Sequence, residues 1–163
     1  MKFISFNHDN SEKFGIIKNN SITDLTGKID GASSLKELIK IKKIKEAKEY
    51  AKSNPGSIKP DQIEYSPLIP NPGKIICVGL NYSEHVKETN RTVEENPVIF
   101  HRFPESQTAH MQAIQRPTVS ESLDFEGEMA VVMDEGGKHI KPEEALKHIV
   151  GFSCYNESTI REW

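Results

Sequence analysis

The chain has 163 residues, 36% of them hydrophobic and 28% charged, with a formal net charge of -3. That length suits one domain, or a small domain joined to part of a larger one, and the composition suits a globular chain better than a disordered one. The near balance of acids and bases excludes a general electrostatic attraction to nucleic acid or to anionic membrane.

From the N-terminus, Phe3-Ile4-Ser5-Phe6 reads as a strand and lacks the apolar core of a signal peptide. A polar turn follows, then Phe14-Gly15-Ile16-Ile17, a hairpin turn at Asn19-Asn20, and a returning strand at Ile22-Thr23-Asp24-Leu25. Residues 34–53 are helical in pattern. Leu35, Leu38, Ile39, Ile41, Ile44 and Ala47 supply the apolar stripe, and Ser33 or Ser34 can cap its start. Its many lysines are interleaved with Glu37, Glu46 and Glu49, the pattern of a solvated face rather than a nucleic-acid patch.

Pro67, Pro70 and Pro72 exclude a helix and mark an extended connector. The expected boundary lies there, with a small α+β domain over 1–68 and a second domain over 69–163. Lys74-Ile75-Ile76-Cys77-Val78 reads as a strand, residues 81–88 as a short helix, and Pro97-Val98-Ile99-Phe100 as another strand. A long polar stretch over 104–122 has the character of a functional loop. Met129-Ala130-Val131-Val132-Met133 is a strongly apolar strand, expected to be buried. A helix opening at Pro142 and a strand from Ile149 complete the pattern. Cys77 and Cys154 lack zinc-site spacing and are expected to be reduced, buried, small hydrophobes. No apolar run approaches the roughly 20 residues of a membrane span, and the expected location is the cytoplasm.

Three segments carry chemistry. In Asp124-Phe125-Glu126-Gly127-Glu128 the two glutamates stand two apart, so on a strand they share a face, with Asp124 near the same line. Adjacent carboxylates repel, and a divalent cation relieves that repulsion. Hard oxygen donors suit Mg²⁺, Mn²⁺ or Ca²⁺ better than zinc. The same pattern also fits ordinary surface acids. In the segment over 79–88, His85 and Glu88 stand three apart on a helix, where a carboxylate can orient an imidazole as a general base. A surface histidine with a chance acidic neighbour fits as well. The third segment, 151–163, places polar groups after a strand-like start.

Together these segments resemble the fumarylacetoacetate hydrolase family. Pro72-Gly73-Lys74-Ile75-Ile76-Cys77-Val78-Gly79-Leu80-Asn81-Tyr82, through His85 and Glu88, is similar to the family's opening motif. Leu123 to Val132 is similar to its E-x-E metal motif, and the run ending Asn156-Glu157-Ser158-Thr159-Ile160-Arg161-Glu162-Trp163 to its N-D-x-[ST]-x-R-[DE]-W signature. The resemblance covers residues 72–163 in order. It implies an α+β, mostly β fold, with a mixed β-roll catalytic domain present in part behind the small N-terminal domain.

It further implies that Glu126, Glu128 and Glu157 hold the metal, usually Mg²⁺, with Mn²⁺ or Ca²⁺ as substitutes. Glu157 stands where the family has Asp, so its carboxylate reaches about one bond further. His85 and Glu88 match the pair that activates water. Tyr82 and Arg102 fall on the substrate side, Arg102 where many members carry Lys. The implied activity is catabolic carbon–carbon hydrolysis of small 2-oxo, acylpyruvate-like carboxylates or hydroxydienedioates, with isomerases and decarboxylases sharing the same chelation. Family members continue past the position of Trp163, so an inactive or partner-dependent fragment is the rival expectation, as is a homodimer or a second chain that completes the fold.

Overall fold

β1 (Lys2–His8), β2 (Ser11–Lys18) and β3 (Ser21–Asp24) form an antiparallel meander. Its two-residue turns are Asp9-Asn10 and Asn19-Asn20, all four with positive φ between 49° and 59°. This is the turn geometry that matches strand twist, and Asn and Asp tolerate it best. In the computed structural model, which describes residues 1–88 and 95–162 without the His85 side chain, the meander gains a fourth strand. β4 (Glu64–Tyr65) pairs with β1, giving the order β3-β2-β1-β4.

The expected single helix over 34–53 is broken. α1 (Leu35–Lys40) is capped by Ser34, whose Oγ accepts the Glu37 N–H at 3.2 Å, and α2 (Ile44–Ser53) begins after a turn in which Lys42 takes φ 58°. The break has a packing reason. At about 100° per residue an unbroken helix would set Ile44 about 180° round from Leu35, so one face could not bury both stripes. With the turn in place, Leu35, Leu38 and Ile39 are buried from α1, and Ala47 and Ala51 from α2.

After α2 the chain runs back along β3. Ile22 N–H donates to Ile58 O at 2.9 Å and Thr23 Oγ1 to Asn54 O at 3.1 Å. A Cβ on Gly56 would overlap the Ile22 carbonyl, so only glycine fits that approach. Phe6, Phe14, Ile16, Ile22, Leu25 and Leu38 form the centre of this core, each no more than 1% exposed.

The remaining elements are β5 (Ile75–Gly79), α3 (Ser83–Glu88), β6 (Val98–Arg102), β7 (Leu123–Asp124), β8 (Gly127–Met133), α4 (Pro142–Ala145), β9 (Ile149–Asn156) and β10 (Thr159–Ile160). They pair as β5–β6, β7–β10 and β8–β9, all antiparallel. The chain divides into two compact units, one made of 1–68 and 108–163 and the other of 69–107.

The strand over 129–133 forms but is not buried as expected: Met129, Val131 and Met133 alternate outward at 62%, 43% and 52% exposed. The ribbon has only two strands, and among the described residues no further layer covers that face. Cys154 shares it and is exposed, and Cys77 is half-buried, so neither is the buried hydrophobe expected. Among the described residues no helix is long and apolar enough to cross a membrane. Strand outweighs helix, an α+β fold with more β than α.

Candidate metal centre

The carboxylates sit where two short ladders meet. β7 pairs Asp124 with Thr159 of β10, and β8 pairs Gly127 with Asn156 and Glu128 with Tyr155 of β9. The register is the same in both ladders, so Glu126, in the short break before β8, stands opposite Glu157, in the break after β9. Glu157 N–H donates to Glu126 O at 2.7 Å across that break. Residues directly opposite on antiparallel strands share a face, and Glu128, two along from Glu126, joins them. One face of one ribbon thus carries Glu126, Glu128 and Glu157.

Asn156 braces the break between the ladders: its Oδ1 accepts the Glu126 N–H at 3.0 Å. Sequence reading singled out Asn156 only as a motif letter, and its role becomes visible once the register sets it across from Gly127. Glu157 is buried at 9% exposure, whereas Glu126 and Glu128 are partly exposed. Arg161 was also only a motif letter. Its Nε and Nη2 lie 2.8 Å from Asp124 Oδ2, and its Nη1 lies 3.4 Å from Glu126 Oε1.

The donor set is chemically right for a hard divalent cation, being three carboxylates on one face with backbone hydrogen bonds fixing two of their carriers. Among the described residues, no three His, Cys, Asp or Glu side chains are gathered closely enough to hold an ion as they stand. The backbone places the donors, and rotation of the glutamate side chains is what would close them on an ion.

The other candidate residues belong to the second compact unit. Leu80 follows β5 with φ 55°, a left-handed conformation that a branched apolar residue rarely takes. Tyr82 comes next but one, half exposed, and its carbonyl accepts the Val86 N–H at 3.1 Å to open α3. α3 carries Glu88 and the backbone of His85, whose side chain lies outside the described residues, as does Trp163 of the terminal motif. Val86, 3% exposed, is the buried anchor of this helix. Arg102 pairs with Ile75, at the far end of the β5–β6 ribbon from Gly79. The four steps between them make about 13 Å along the strand.

Residues 74–163 match the model of the fumarylacetoacetate (FAA) hydrolase C-terminal family. The chain belongs to the fumarylacetoacetate hydrolase family. Among curated relatives, the mitochondrial oxaloacetate tautomerase Fahd2a of Rattus norvegicus is 38% identical over 102 residues, 63% of this chain and 33% of that protein. Among solved structures, the fumarylacetoacetate hydrolase of Exiguobacterium antarcticum is 28% identical with a TM-score of 0.81, over 99% of this chain and 57% of that one. The maleylpyruvate hydrolase of Sphingobium sp. SYK-6, solved with manganese(II) and pyruvate, superposes with a TM-score of 0.81 at 19% identity, over 100% of this chain and 60% of that one. The chain thus spans about a third of its curated relative and somewhat over half of these structures.

Proposed function

We propose that this chain carries the metal-binding and water-activating residues of a family enzyme acting on small 2-oxo carboxylates. Glu126, Glu128 and Glu157 hold a divalent cation, Mg²⁺ first, with Mn²⁺ or Ca²⁺ as substitutes. The observation that carries the reading is the shared register of the two ladders, which puts these three residues on one ribbon face. When bound, the ion supplies Lewis-acid polarisation of the substrate's carboxylate and 2-oxo oxygens. His85, oriented by Glu88, takes a proton from water, and the resulting hydroxide attacks the distal carbonyl carbon. Cleavage of the carbon–carbon bond then leaves an acid and the enolate of a 2-oxo carboxylate, whose carbon takes up the proton held by His85. Tyr82 and Arg102 bind the substrate.

A second reading is favoured by the curated tautomerase relative: His85 moves a proton between the enol oxygen and carbon of a 2-oxo dicarboxylate, and no carbon–carbon bond breaks. A third, a fragment inactive by itself or dependent on a partner, is supported by the open apolar face of β8 and β9. A homodimer or a completing chain would cover that face. The cytoplasm is the proposed location, although the curated relative cited is mitochondrial by name.

The test is Mg²⁺-dependent turnover of an acylpyruvate, and of the enol form of oxaloacetate, by the folded chain and by Glu126→Ala. Cleavage of the first supports the hydrolase reading, and accelerated loss of the enol absorbance alone supports the tautomerase. Glu126→Ala should lose at least about 100-fold in either activity. Full activity in that variant would rule out the metal role, and no activity in a well-folded wild type would favour the fragment.

A further inference from the structure

Arg161 stands half exposed beside the proposed metal ligands, 45% accessible at its side chain against 52% for Asp124 and 22% for Glu126. The β7–β10 ladder brings it there: Asp124 pairs with Thr159, and Arg161 lies two residues further along. Two of its nitrogens, Nε and Nη2, are spent on one oxygen of Asp124 at 2.8 Å. The guanidinium is planar, so that grip also fixes the third nitrogen, and Nη1 is the atom left against Glu126 Oε1 at 3.4 Å. The distance is an ion pair rather than a strong hydrogen bond, and a guanidinium keeps its charge at any working pH.

We infer that Arg161 is the built-in counter-charge of the carboxylate face. Held by Asp124, it offsets the charge of Glu126 when no divalent ion is bound and opposes the binding of one. The inference rests on the metal reading above and adds a regulator of affinity to it. Two effects act in the same direction. The fixed positive charge repels an incoming cation, and Nη1 competes for a Glu126 oxygen that the cation needs. Because Asp124 retains the larger share of the guanidinium, the opposition is partial, and ion binding needs Glu126 to rotate away from Nη1 rather than removal of Arg161. Arg161 acts here through Glu126, so it is a positioning residue.

The experiment is calorimetric titration of the full chain with Mn²⁺ at fixed pH and ionic strength, with circular dichroism to confirm folding. Arg161→Gln should bind Mn²⁺ roughly 3- to 10-fold more tightly than wild type, and Arg161→Lys, which keeps the charge, should stay within about twofold. Arg161→Met keeps the side-chain stem and replaces Arg161→Gln if the latter does not fold. A purely structural Arg161 would make the lysine and glutamine variants behave alike. Equal or weaker Mn²⁺ binding by the uncharged variants overturns the inference and leaves the metal reading intact. No binding by any folded variant, wild type included, overturns both.

Discussion

Glu126 is fixed through its backbone before its carboxylate does anything: its N–H is held by Asn156 Oδ1 at 3.0 Å, and its carbonyl by Glu157 N–H at 2.7 Å. Asn156→Ala removes the first of these and should weaken Mn²⁺ affinity by about 10-fold, measured by titration, as expected for loss of a residue that orients a ligand. The i, i+2 spacing of Glu126 and Glu128 was legible in sequence, because strand alternation alone puts both on one face. Glu157 was legible only through the family motif, since 29 positions separate it from Glu128 and nothing local says which strand lies opposite. The roles of Asn156 and Arg161 needed the register itself.

Asp24 offers a separate test at this scale. Burial pushes its carboxyl up, but the Lys13 ammonium at 2.8 Å and the Thr26 N–H at 2.8 Å, with the Thr26 hydroxyl, outweigh that and hold it below its ordinary value. A folded value below the unfolded one means stability that is full above the unfolded carboxylate range and lost as pH falls through the folded value. Asp24→Asn should therefore cost about 1 kcal/mol in urea melts at pH 7. The difference from wild type should shrink to nothing in strong acid.

Among the elements, alternation and turn chemistry revealed β1, β2 and β3, and the apolar runs revealed β5, β6, β8 and β9. The break between α1 and α2 was present in the same residues but needed geometry to see: Leu35, Leu38 and Ile39 point one way on a helical wheel, and Ile44, Ala47 and Ala51 the other. The prediction of one helix counted apolar positions without tracking their angle. Ser34→Ala should destabilise the unit that contains α1 by about 1 kcal/mol in thermal or urea unfolding, the usual effect of losing an N-cap oxygen. Burial of β8 was the other expectation that failed, because an apolar strand predicts a partner layer without saying that this chain supplies it.

For the whole molecule, the contrast is between a closed core and open ribbons. Residues 1–53 supply nearly all of the buried apolar side chains, and beyond them, among the described residues, only Val86 and Ala109 are buried and hydrophobic. Met129, Val131, Met133 and Phe152 line one exposed face of the β8–β9 ribbon instead. Contiguous apolar faces of this kind drive association. The chain should therefore show concentration-dependent self-association by light scattering, and Met129→Lys with Phe152→Lys should reduce it without lowering the thermal midpoint. The fold class and the family were both legible from sequence, the family because its motifs recur in order across 72–163. The open face was not, since no local pattern tells an apolar strand that is covered from one that is not.

The central claim is that Glu126, Glu128 and Glu157 together hold one divalent cation, and calorimetric titration with Mn²⁺ at neutral pH tests it most directly. The account predicts a single site in the wild-type chain that loses about 100-fold in affinity in Glu126→Gln and again in Glu128→Gln. Undiminished binding in those variants, or none in a folded wild-type chain, would contradict it.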